Sequence, residues 1–214
     1  MITINKTALK AVSRFAAKSD VRYYLVGVYV EASEHETRLV ATDGHTLLVH
    51  RMTAENTHSW SGIIPLDTVN AILKHKSPYE KKNNTLPVEL SECGGTEARI
   101  DYAGQAFIFK PVDGQFPDYR RVIPSTISGE PAAYQADYLK RVSDAACDLG
   151  ATTHGTACYS VGYNGNGPAV FGINDNCMAV VMPMRLELMN ADNVRAYAWT
   201  REPVEGKPKL HAVA

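Results

Sequence analysis

The sequence predicts an α+β fold made of repeated β-α-β-β-β units, with helices packed on one face of antiparallel sheets. Three observations predict it. Short one-sided helices recur along the chain, at Thr7–Val12, Asp67–Ile72 and Asp137–Val142; offsets of 60 (7 to 67) and 70 (67 to 137) bring them into register. Alternating strand-like runs follow each helix, and turn signals separate many of those runs.

Each helix opens on a residue suited to N-capping, Thr7, Asp67 or Asp137, whose side-chain oxygen can accept from the open N–H groups of the first turn. Each then spaces apolar residues three apart: Leu9 and Val12, Val69 and Ile72, Leu139 and Val142. Phe15 and Ala16 extend the first stripe, Leu73 widens the second, and Ala145 and Ala146 extend the third. A β-like run precedes each helix, at Ile2–Ile4, Gly62–Pro65 and Ala132–Tyr134. After the first helix come Tyr24–Glu31, Thr37–Thr42 and Thr46–Met52. After the second come Leu86–Leu90, Glu97–Tyr102 and Gln105–Lys110, and after the third Ala157–Tyr163, Ala169–Ile173 and Met178–Met182. Asp43-Gly44, Gly94-Gly95, Ala103-Gly104 and Asn164-Gly165-Asn166-Gly167 supply turns. Asp113–Pro131, with three prolines after Phe116, reads as a linker between the second and third units. Asn193–Thr200 suits one more strand, and Glu202–Lys209 a mobile tail.

The bulk composition bounds the function. The 214 residues are 45% hydrophobic and carry a net charge of −1, enough apolar material for one large or two small domains and no global sign of a nucleic-acid binder. Charge is an average, and a basic lining opposite an acidic rim also sums to near zero. Cys93, Cys147, Cys158 and Cys177 form no CxxC pair and fit no zinc or disulfide spacing, so reduced thiols and no metal or cofactor are expected. The N-terminus lacks a basic run followed by an apolar core, and no apolar stretch approaches the ~20 residues of a membrane span. A soluble, cytoplasmic protein is expected, with no membrane partner. The glycine-rich stretch Gly162–Gly167 lacks both the dinucleotide fingerprint and the Lys-Ser or Lys-Thr of a phosphate loop, and reads as a hairpin turn.

Four segments carry a resemblance. They are Asp20-Val21-Arg22-Tyr23-Tyr24-Leu25, then Ala41-Thr42-Asp43-Gly44-His45, then Val112–Pro124 (VDGQFPDYRRVIP), and finally Val180-Val181-Met182-Pro183-Met184-Arg185-Leu186. In that order they resemble the β subunit of DNA polymerase III, the bacterial sliding clamp. The resemblance covers about residues 1–188 and implies the DNA clamp fold, in which helices face inward onto DNA and sheets form the rim. Residues 1–126 resemble the family's complete middle domain, 127–190 resemble the second half of its final domain, and 191–214 form a C-terminal extension. The implied function is a non-catalytic processivity factor. Its implied partners are duplex DNA bound without sequence preference, DNA polymerase and other clamp-binding proteins holding on through short peptide motifs, and a clamp loader. Family rings contain twelve such units, so three units per chain imply a homo-oligomer: a tetrameric ring and a dimer with paired half-domains both fit, and a monomer fits if the tail covers the open edge. A competing reading is a clamp-derived peptide-binding adaptor that does not encircle DNA.

Two sites follow from the resemblance. The family's peptide pocket maps to Leu25, Thr42, Gly44, His45, Leu47, Pro124, Tyr138, Val180, Val181, Met182, Pro183, Met184, Arg185 and Leu186. Exposed Val, Leu, Met and Pro suit an apolar peptide anchor, and methionine adapts to several partners. As a bare run, Val180-Val181-Met182 reads better as strand core; the following Pro183-Met184-Arg185-Leu186 and the other motifs favour the pocket. The family commonly has Arg after the TDGH histidine, where this chain has Thr46. As an isolated pattern Asp43 and His45 suit an acid–base pair, but no nucleophile or metal set accompanies them, so a tight turn is the expected role. The second site is the DNA face. Lys10, Arg14 and Lys18 are four apart, which puts them on one side of the first helix, away from Leu9 and Val12. Lys74 and Lys76 end the second helix, Lys140 and Arg141 sit on the third, and Arg22, Tyr23 and Tyr24 follow the first helix in a loop. Such groups hold phosphates without reading bases, whereas a solvated helix face is the simpler reading of the spacing alone.

Overall fold

The computed structural model describes residues 1–76, 86–93 and 96–186, together with Tyr197 and Thr200. The expected turn at Gly94-Gly95, most of the expected strand at Asn193–Thr200 and the tail at Glu202–Lys209 lie outside the described residues. Two compact units are present, Met1–Met184 and Arg185–Ala214; the account below concerns the first.

The first repeat runs β1 (Ile2–Asn5), α1 (Lys6–Ser13), β2 (Gly27–Ala32), β3 (Glu36–Thr42) and β4 (Thr46–Thr53). The second runs β5 (Trp60–Pro65), α2 (Leu66–Lys74), β6 (Pro87–Glu92), β7 (Ala98–Tyr102) and β8 (Gln105–Phe109). The third begins at α3 (Ala136–Asp148) and continues through the short strands β9 (Thr152–Thr153), β10 (Thr156–Ala157) and β11 (Ser160–Gly162) to β12 (Ala169–Asn174) and β13 (Cys177–Val181). The α+β class and the antiparallel pairing match the sequence reading.

The first two repeats interlock by exchanging their opening strands. β1 pairs with β6 in a four-stranded sheet of order β1-β6-β7-β8, while β5 pairs with β2. That second sheet has seven strands in the order β11-β12-β13-β4-β3-β2-β5, so the third repeat continues the sheet of the first through β13 and β4. α1 packs against both α2 and α3. The main core lies between helices and sheets, with Ile4, Leu9, Val12, Ile64, Val69, Ile72 and Val142 all at 0% exposure. A second cluster, comprising Val40, Leu47, Ile63, Phe116, Tyr119 and Val180, covers the other face of the large sheet.

Several local expectations are corrected. The helices start earlier than their expected caps. Asn5 caps α1, accepting from the N–H groups of Thr7 and Ala8, and α2 and α3 follow Pro65 and Gln135 with no side-chain cap. Asp67 and Asp137 sit in the first turns, where negative charge suits the helix dipole. The run from Tyr24 opens as a 3-10 turn at Tyr23–Leu25 before the strand begins at Gly27. Ala132–Tyr134 is not a strand; it makes only an isolated bridge from Ala133 to Met184. The run at Ala157–Tyr163 splits between β10 and β11. The Asp113–Pro131 linker is partly docked on the sheet. Val112 donates to the Ile63 carbonyl at 3.0 Å, Phe116 stacks on Tyr29 at 4.8 Å, and the Tyr119 hydroxyl donates to Glu31 at 3.0 Å.

Candidate functional site

A groove of about 210 Å³ opens on the outer face of the seven-stranded sheet, at the seam between the first and third repeats. Alternation along paired strands builds its floor: Leu47 of β4 lies opposite Val180 of β13, and both point to this face. Their neighbours Leu48 and Val181 point the other way into the main core, both at 0% exposure. The docked linker forms one wall with Pro117, Asp118, Tyr119 and Val122; Arg22, Tyr24 and Leu25 form another. The Thr42–Thr46 turn and Met182 close the end. Small-molecule sites usually measure ~300–1,000 Å³, so this volume suits one or two apolar side chains of a peptide.

The turn is held rigidly. Asp43 Oδ1 accepts from the backbone N–H of His45 at 2.9 Å and of Thr46 at 2.7 Å, and from the Thr46 hydroxyl at 3.0 Å. Arg141 of α3 donates to Asp43 Oδ2 and, at 3.2 Å, to Thr46 Oγ1. Burial works to raise the Asp43 pKa, but the bonds from His45, Thr46 and Arg141 outweigh it and hold the carboxyl below its ordinary value. Gly44 adopts φ +91°, and a Cβ there would sit 3.0 Å from the Arg22 guanidinium, so glycine meets both a backbone and a space requirement. The His45 ring stacks on Tyr138 at 6.0 Å, and its carbonyl accepts from Met182 N–H at 2.9 Å. The turn thus ties β4, α3 and the end of β13 together. Both Asp43 oxygens accept from donors of the turn and of α3, and no metal-ligating cluster exists among the described residues.

The groove gathers Leu25, Thr42, Gly44, His45, Leu47, Val180 and Met182 of the expected pocket. Tyr138 stands at its margin through the His45 stack. Val181 is core, because strand alternation turns it inward. Pro124, Pro183 and Met184 do not line the groove, and Arg185 and Leu186 belong to the second unit. Arg22 and Tyr24, expected at DNA, stand on the groove wall, while Tyr23 is exposed. Sequence reasoning did not assign Thr46 or the segment Pro117–Val122 to the pocket. A signal for the latter was present in Phe116 and Tyr119, large aromatics in a stretch that a free linker would not need to bury.

The cationic helix residues are arranged differently from the expected stripe. α1 ends at Ser13, so Arg14 is its C-cap and Lys18 lies beyond it. Arg14 and Lys10 both reach Asp148 of α3, at 2.5 and 2.8 Å, and Arg14 also reaches Asp144 at 3.2 Å. Lys140 pairs with Asp144 at 2.7 Å. Lys18, Lys74 and Lys76 are exposed.

Comparison with known proteins accords with this geometry. The family described as DNA polymerase III beta subunit, central domain, matches residues 3–118. The beta sliding clamp of Escherichia coli K12 is 38% identical over 120 residues, which cover 56% of this chain and 31% of that protein. The clamp of Caulobacter vibrioides CB15N is 37% identical over 119 residues, covering 52% and 30%. The chain therefore spans about a third of the length of the relatives it matches. Among solved structures, the Thermotoga maritima DNA polymerase III β subunit superposes with a TM-score of 0.66 at 18% identity, covering 87% of this chain and 66% of that one. The Helicobacter pylori beta clamp bound to a DNA ligase peptide does so with a TM-score of 0.66 at 16% identity, covering 86% and 65%. These likenesses share the clamp fold. With a family match across more than half of its residues, the chain belongs to the DNA polymerase III β subunit family, the bacterial sliding clamps.

Proposed function

We propose that this protein is a sliding clamp, a non-catalytic processivity factor that assembles around duplex DNA and holds polymerases and related proteins by short apolar peptides. The observation that carries the peptide half is the groove at the β4–β13 seam, with its Leu47–Val180 floor and Met182 at the end. Apolar side chains left accessible in a concave site, over a turn fixed by Asp43 and Arg141, suit a preorganised anchor pocket. A clamp of the same fold holds a ligase peptide, which supports the same use here. Tethering a polymerase this way acts by raising its effective concentration at the primer end.

The DNA half rests on assembly of these repeats into a closed ring. A specific observation favours the adaptor as a second reading: Lys10, Arg14 and Lys140 are engaged by Asp144 and Asp148, which lowers the positive charge the helices offer to phosphates. Fluorescence anisotropy with a labelled ligase-type peptide tests the groove; Leu47→Asp should abolish binding, and undiminished binding overturns the site. Light scattering with retention on nicked circular against linear DNA tests the ring. A multimer retained on circles alone supports the clamp; a monomer with no topological preference leaves the adaptor.

A further inference from the structure

The apolar floor does not stop at the groove. On the same sheet face, the next cross-strand pair after Leu47–Val180 is Val49–Met178, both half-buried. Two residues further along β4 stands Arg51, exposed, whose guanidinium meets, among the described residues, only neutral acceptors, Asn176 Oδ1 at 3.3 Å and the Asp175 carbonyl at 3.4 Å. Directly across on β3 is Arg38. A second cleft lies here, bordered by Arg38, Arg51 and Arg120, with the single acidic residue Asp175 also on its lining, over Val49 and Met178. It shares Tyr119 with the apolar groove.

Two features of this cleft ask for an anion. Like charges directly opposite on neighbouring strands repel, and the register puts Arg38 against Arg51. Glu36 engages Arg38 at 2.5 Å and Glu31 engages Arg120 at 2.7 Å, but among the described residues no carboxylate is bonded to Arg51. The arginines also surround apolar surface, where a charge-assisted bond is less diluted by water than on an open face.

We propose that the groove and this cleft form one extended peptide site, in which an apolar side chain anchors on Leu47 and Val180 while an acidic side chain of the same peptide is held between Arg38, Arg51 and Arg120. This deepens the peptide reading above and rests on it. Four strand positions separate Leu47 from Arg51, about 13 Å of extended chain, so the acidic residue belongs about three to five positions from the anchor.

The test uses the full-length protein and four fluorescein-labelled synthetic peptides: an apolar anchor with glutamine flanks, the same anchor with two glutamates four residues to its N-terminal side, the same with the glutamates C-terminal, and a lysine version. One acidic peptide should bind about three- to tenfold tighter than the glutamine peptide, an advantage that fades with added salt. Arg51→Gln and Arg38→Gln should remove that advantage and leave the glutamine peptide unchanged, which also certifies that each variant is folded. If the glutamine peptide binds but neither acidic peptide gains, the cleft proposal is overturned and the groove survives. If no peptide binds, the groove reading falls and the cleft proposal with it. If Arg51→Gln lowers retention on duplex DNA and leaves all peptides unaffected, the cleft serves phosphates, which overturns the proposal as well.

Discussion

The first two repeats and the third are built from the same elements but held by different means. β1 sits in the sheet of the second repeat and β5 in that of the first, so neither repeat can leave without stripping a strand from the other. The third repeat exchanges no strand. Its pre-helix segment makes one bridge at Ala133, its strands β9 to β11 are two or three residues long, and among the described residues β11 is the last strand of the sheet. It is secured by the β13–β4 ladder, by the shared apolar core in which Val142, Ala145, Ala146 and Ala179 are fully buried, by Arg141 on Asp43, and by Arg14 and Lys10 on Asp148. Strand exchange ties two repeats into one cooperative body, whereas a repeat joined through one ladder, a shared core face and a few ion pairs should open more readily. The groove lies on that attachment, so what holds the third repeat also shapes the peptide site.

The largest test sets a core truncation in each region side by side. Ile64→Ala, at a fully buried position of the exchanged strand β5, should cost about 2–5 kcal/mol in urea unfolding, lost from the whole body. Val161→Ala on the edge strand β11, half-buried, should cost less than about 1.5 kcal/mol. Native-state hydrogen exchange should show β11 and β12 opening before β2 and β3. Equal costs and equal protection would erase the distinction between the regions.

Next in size is Asp43→Asn, which leaves Arg141 facing a neutral amide. About 1–3 kcal/mol should be lost, together with affinity for an apolar peptide. Because the folded Asp43 pKa is lowered, its contribution is fully present above the unfolded value of about 3.9 and disappears as the pH falls through the lower folded value. Thermal melts of the wild type should therefore lose stability as the pH drops below about 4, and the variant should lose less over the same range.

Much of this architecture was legible in the sequence because the repeat is written in periodicities. Leu9 and Val12, Val69 and Ile72, and the alternation through Leu47 and Val49 each reflect a face that must be buried. The caps were misplaced because Pro65 has no side-chain acceptor and Gln135 makes no capping bond, while Asp67 and Asp137 imitate caps from one turn position inside the helix. Val181 was misread for a different reason: a family segment lists neighbours along the chain, and a strand sends alternate neighbours to opposite faces. The α1–α3 ion pairs were invisible because Asp148 lies 134 residues from Arg14. Only the packing of α1 on α3 brings them together, and helical spacing within one segment carries no trace of it.

A smaller effect is expected in that ionic joint. Asp148 is 8% exposed at its side chain and receives both Arg14 and Lys10. Asp148→Asn should cost about 1–2 kcal/mol, with the loss shrinking at high salt. It should also speed exchange in α3 and β13 more than in α2, since the second repeat keeps its exchanged strand.

The smallest stability effects separate the paired cations from the exposed ones. Lys140, 68% exposed and bonded to Asp144, and Lys18, exposed beyond the end of α1, should each change stability by less than about 0.5 kcal/mol when replaced by Gln. Their effects on DNA should differ. A lysine that meets a phosphate releases a counterion, so its removal lowers the slope of log affinity against log salt by about one. Lys18→Gln should lower that slope, and Lys140→Gln should leave it nearly unchanged because Asp144 already balances the charge. An equal drop for both would show that the Asp144 pair opens in the presence of DNA.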